Sequence, residues 1–126
     1  MVPIVIFVGA GLGGVARYAV SQWVQAKAGA EFPYGTLLVN VTGSLVLAFL
    51  YATLEGTPAA PEWRAFFGIG VIGGYTTFST FSYETVRLLQ DGDWARAVWY
   101  AAASVILSLV AAIAGFGLAS ALLRRG

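Results

Sequence analysis

The chain has 126 residues, 59% of them hydrophobic and only 10% charged, with a net charge of +1 and neither Cys nor His. A soluble domain devotes about a quarter of its residues to charge, so this chain has too little polar surface to stay in water. The missing Cys and His exclude disulfides, thiol chemistry and ordinary transition-metal sites, and the scattered basic residues exclude nucleic acid as a partner.

Four apolar blocks follow one another, at residues 2–26, 34–54, 64–88 and 95–123. Each reaches the ~20 residues a helix needs to cross ~30 Å of hydrocarbon. The expected fold is therefore all-α and integral to the membrane, one domain over residues 1–126 with four transmembrane helices. The first block lacks a basic start and holds Arg17, so it is expected to be a retained span rather than a cleaved signal. Short connections at 27–33, 55–63 and 89–94 combine Pro or Gly with acids, the usual helix-breaking chemistry. Trp23, Tyr34, Trp63 and Trp94 lie near span ends, where amphipathic rings favour the interface.

This pattern puts both termini on one side. That side carries Arg64, Arg124 and Arg125; the other carries Lys27 and Arg96, with Arg87 close by. The positive-inside bias is almost nil. Two accounts stand at this point: a small protein oriented by weak cues, or a chain that inserts both ways and pairs with an inverted copy of itself. Of the six acids, only Glu84 lies within a span. That inventory does not assemble a catalytic constellation, so no enzyme is expected.

In the first span, GAGLGGVARY (9–18) offers Gly9 and Gly13 for close helix approach, a common packing device. Arg17 is costly inside hydrocarbon; it either snorkels to an interface or holds a neighbour at the rim of an aqueous vestibule. In the second span, GTLLVNVTGS (35–44) sets Thr36, Asn40 and Ser44 on one face. An interhelical hydrogen-bond seam and a polar lining are both open there. The third span holds GGYTTFSTFSYE (73–84), where Gly73 and Gly74 weaken the helix and Thr76 and Thr77 compete for its hydrogen bonds. A break is expected there near the bilayer midplane, with freed carbonyls suited to a cation. Beyond it Phe78 and Phe81 share a face, interleaved with Ser79 and Thr80. In the fourth span Tyr100, Ser104 and Ser108 again mark one stripe in an apolar helix.

A phenyl ring has a positively polarised edge. Edges together with hydroxyl and amide donors replace the water around a small anion without trapping it, which is what conduction demands.

These strings closely resemble the Fluc (CrcB) family of fluoride channels, and the resemblance covers all four spans. It implies an antiparallel dual-topology homodimer with two pores, passing fluoride passively out of the cytoplasm through the cell (plasma or inner) membrane. It further implies Phe78 and Phe81 as pore phenylalanines contributed from opposite subunits, and Asn40, Ser79 and Thr80 as pore polar groups. Thr36 joins them, and Tyr100, Ser104 and Ser108 resemble the family's polar track. Arg17 matches a vestibule arginine and Glu84 the acid that follows the motif. A structural, untransported sodium ion would be held by the backbone carbonyls of Gly73 and Thr76 from each subunit. Hydrogen fluoride crosses membranes as a neutral acid and ionises inside, so a passive pore suffices to return the anion. The rivals are a small multidrug–proton antiporter, which needs an intramembrane carboxylate and has only Glu84 to use, and a channel for another small anion.

Overall fold

A computed structural model describes residues 1–58 and 60–125, and is all helical over that range apart from short connections. Helix α1 (Val2–Ala28) starts with Pro3 in its first turn, where a missing N–H costs nothing. It ends at Gly29, whose φ of 90° few other residues adopt. Helix α2 (Tyr34–Leu54) follows directly. Gln25 ties this connection together: its Nε2 donates to the Gly29 and Phe32 carbonyls, and its Oε1 accepts from the Gly35 N–H.

The third helical segment runs from residue 60 to residue 75 and is α3 here. Its first turn is Ala60–Trp63, Arg64–Ile72 is wound as a π-helix, and Gly73–Tyr75 returns to α geometry. Thr76 and Thr77 are extended, with ψ of 157° and 124°. Helix α4 (Phe78–Gln90) then starts on Thr77, whose side-chain oxygen accepts from the Thr80 N–H. Gly92, with φ of 79°, turns the chain, and Asp93 Oδ1 accepts the Arg96 N–H at 3.1 Å at the head of α5 (Trp94–Arg125).

The break therefore lies at Thr76–Thr77, not at the glycine pair, since Gly73 is helical at φ −61°, ψ −39°. Gly74 of that pair serves packing, as Gly13 does in α1. A Cβ on Gly74 would overlap the Ala10 carbonyl, and one on Gly13 the Val71 carbonyl. Here α1 and α3 meet backbone to backbone, as small residues permit. Helix α2 packs along α5, where Gly115 sits against Leu45 and Ala48.

Three helices, α1, α2 and α5, are individually long and apolar enough to cross a membrane; the broken α3–α4 segment is not one continuous helix of that kind. Large apolar side chains point outward, among them Phe7, Val15 and Ile113. Among the described residues the buried positions are mostly Gly, Ala, Ser and Thr, and only Tyr100 and Val39 are large and fully enclosed. In water this would be inside out. In lipid, where apolar burial between helices gains little, close packing of small residues is the expected arrangement.

A matched pair of substitutions checks this packing. Gly13→Ala should lower the thermal unfolding midpoint in detergent, through an overpacking cost of about 1–3 kcal/mol. Gly11→Ala, with open space around the added methyl, should leave it unchanged or raise it slightly.

Candidate functional site

The break is held open by a side chain from another helix. Asn40 of α2 donates through Nδ2 to the Thr77 carbonyl at 2.9 Å, and its Oδ1 accepts the Thr77 N–H at 2.8 Å. The reciprocal pair fixes the amide orientation, because the backbone N–H can meet only an oxygen. It also diverts the Thr77 N–H from the Gly73 carbonyl, its partner in an unbroken helix.

The three polar residues of the α2 face have separate tasks. Asn40 braces the break. Ser44 donates to the Asn40 carbonyl of its own helix at 2.7 Å, the ordinary back-bond of a helical serine. Thr36, buried, donates to Glu84 Oε1 of α4 at 2.6 Å. Tyr100 of α5 donates to the same oxygen at 3.3 Å. Thr77 Oγ1 lies within hydrogen-bonding reach of both the Thr80 and Ser79 hydroxyls, at 3.2 and 3.4 Å.

Two recesses flank this arrangement. One, of about 220 Å³, is lined by Asn40, Phe78, Phe81, Ser104 and Ser108 together with Val105 and Leu109, so five of the expected pore residues share one wall, while Thr36, Ser79, Thr80 and Tyr100 do not line it. The rings of Phe78 and Phe81 are 5.7 Å apart, and Phe81 lies 5.2 Å from the Tyr100 ring. The Ser104 hydroxyl is buried and has no hydrogen-bond partner among the described residues. Such a group is costly unless a ligand or water completes it. The other recess, of about 260 Å³, is lined by Arg17, Tyr18, Gln22, Thr36, Thr77 and Thr80 among others. Among the described residues Arg17 pairs with no carboxylate, so its charge faces this space. Tyr100, fully buried, is on neither wall and reaches the site through Glu84.

Phe78 is 78% exposed, and Gly73 and Ser79 are exposed with it. These groups form a polar and aromatic face that the single chain leaves open. Among the described residues no three His, Cys, Asp or Glu side chains converge, so a cation here would need uncharged oxygen donors.

Two residues have contacts that the sequence did not disclose. Thr77 is the cap of α4, and a Thr directly before the run that opens at Phe78 was the available sign. Glu84 binds Thr36 across 48 positions of sequence; its place within a span and after the motif marked it, but not this partner.

Comparison with known proteins places the chain among similar sequences. The family model described as CrcB-like protein, Camphor Resistance (CrcB), matches residues 4–116. A protein of Rhizobium meliloti named fluoride-specific ion channel FluC is 46% identical over 121 residues, 94% of this chain and 97% of the relative. Its namesake in Thermus thermophilus is 43% identical over 94% of each chain. Another, from Anaeromyxobacter, is 45% identical over 88% of this chain and 89% of its own.

Proposed function

The chain belongs to the CrcB family, and from that premise we propose that it is a passive, fluoride-selective channel of the plasma membrane that lets the toxic anion leave the cytoplasm. It is not an enzyme. The observation that carries the reading is the wall formed by Asn40, Phe78, Phe81, Ser104 and Ser108. Ring edges and a hydroxyl lacking a partner suit a small, strongly hydrated anion, and no fixed charge on that wall traps it. Arg17 at the neighbouring recess draws the anion in from water.

The proposed assembly is an antiparallel homodimer with four spans per subunit, the broken α3–α4 segment counting as one. A second, inverted copy would cover the open face around Gly73, Phe78 and Ser79 and complete two pores. The weak charge bias between the two ends supports such an arrangement. The structural sodium ion fits the donors present. The Gly73 carbonyl lacks its helical N–H, the Thr76 carbonyl lies in extended backbone, and both are hard oxygens of the kind unwound helices offer to sodium. Two such carbonyls per subunit would give four.

The test is efflux from liposomes loaded with fluoride or with chloride. Rapid fluoride loss with chloride retained is the expected result. Equal rates would leave an anion channel without the selectivity, and no loss of either would remove the channel function.

A further inference from the structure

The bonding of Glu84 bears on how the anion competes for its donors, a conclusion that rests on the channel function proposed above. A hydroxyl has one proton to give. The Thr36 and Tyr100 protons both go to Glu84 Oε1, at 2.6 and 3.3 Å. The shorter distance is that of a charge-assisted O–H···O⁻ bond. Thr36 lines the recess that holds Arg17, and Tyr100 heads the stripe leading to Ser104 and Ser108. The carboxylate oxygen thus sits where two hydroxyls converge, one on the wall of the Arg17 recess and the other buried at the head of the stripe. While it is there, those hydroxyls offer a passing anion only lone pairs.

We infer that Glu84 is a tethered anion competing with fluoride for the Thr36 and Tyr100 hydroxyl protons, so that the carboxylate must withdraw or be neutralised before fluoride takes that position. The surroundings permit such release. Glu84 also borders a cavity of about 360 Å³ that includes Gln22, Gln25, Glu31, Tyr83, Arg87 and Asp91. Arg87 pairs with Asp91 at 3.7 Å and Arg96 with Glu31 at 3.0 Å. Among the described residues no basic side chain pairs with Glu84, so only the two hydroxyls hold it. The neighbours that face it are Thr36 from α2, Tyr100 from α5, Tyr83 and the Arg87–Asp91 pair on its own helix, and Gln22, Gln25 and Glu31 from the end of α1 and the turn beyond. Protonation at its free oxygen would turn a competitor into a donor. It would also weaken Oε1 as an acceptor, so that fluoride outcompetes it for the two hydroxyl protons.

The experiment is fluoride-carried current across planar bilayers containing the full-length protein, read as the fluoride concentration giving half-maximal current between about pH 5.5 and 8. Electrical current excludes neutral hydrogen fluoride. In the wild type this concentration should fall severalfold as the pH is lowered. Glu84→Gln keeps an oxygen acceptor of the same shape without the charge. It should show the low value at every pH, and Thr36→Val in that background should raise it again. A pH-independent value in the wild type overturns the inference without any variant having to fold. A folded Glu84→Gln channel with the wild-type value, or with no current, also overturns it, the latter because the carboxylate would then be required. Absence of wild-type fluoride current at any pH removes the channel function itself, and the inference with it.

Discussion

Asn40→Asp should abolish fluoride efflux from liposomes, reducing it by about a hundredfold or more, while the protein keeps its helix content and elutes as an intact particle. The Asp side chain can still accept the Thr77 N–H, but it has no donor for the Thr77 carbonyl now bonded at 2.9 Å. Leaving that carbonyl unpaired costs about 1–3 kcal/mol. Electrostatic repulsion costs more. Asn40 lines the same recess as Phe78, Phe81 and Ser104, so the substitution sets a fixed negative charge beside the anion's path. Two like charges about 4 Å apart repel by about 4 kcal/mol at an effective dielectric constant of 20, and about 2.7 kcal/mol of added barrier is already a hundredfold in rate. Asn40→Ala separates the two effects. It removes both bonds but adds no charge, so it should lower stability while slowing efflux less than the Asp variant. Efflux at the wild-type rate through a well-folded Asp variant would show that Asn40 does not line the path.

The same residue shows what the sequence could and could not disclose. Three of the four expected spans were legible because apolar length alone decides them, and α2 starts and ends where its composition shifts. The break falls inside the expected GGYTT stretch, at the threonine pair and not at the glycines that also weaken the helix. In lipid the glycine signal was overridden: Gly74 is needed small for Ala10, and the helix instead ends where Asn40 supplies the hydrogen bonds it gives up. The equal spacing of Thr36, Asn40 and Ser44 fixed their shared face, yet each has a different partner. Periodicity says which way a side chain leaves its helix and nothing about what meets it. For Ser44 the meeting is with its own backbone, for Thr36 with an acid 48 residues away. Tyr100, Ser104 and Ser108 were recognisable as a stripe because nothing else polar lies on that part of the helix. The missing partner of Ser104, the stronger sign of a ligand, exists only once α2 and α4 are packed around it.

Phe78 and Phe81 stand three residues apart, and their substitution should separate conduction from stability. Phe78 is 78% exposed in the single chain and touches little of it beyond the Phe81 ring at 5.7 Å. Phe78→Ile should therefore leave the subunit fold intact. Phe81 also packs against Tyr100 at 5.2 Å, so Phe81→Ile forfeits aromatic contacts worth about 0.5–1.5 kcal/mol each and should lower the unfolding midpoint as well. Both should slow fluoride. A desolvated cation over a ring face gains about 2 kcal/mol from the quadrupole, and an anion at the ring edge draws on the same quadrupole with the signs exchanged. Losing one edge then adds about 2 kcal/mol to the barrier, roughly a thirtyfold drop in rate. Isoleucine keeps the position large and apolar, so the comparison isolates the edge from simple filling of space. Efflux from liposomes, set beside unfolding midpoints in detergent, reads the two effects independently. Wild-type fluoride rates in the folded Phe78 variant would mean that the hydroxyls alone carry the anion and that the ring serves only to pack against a second subunit.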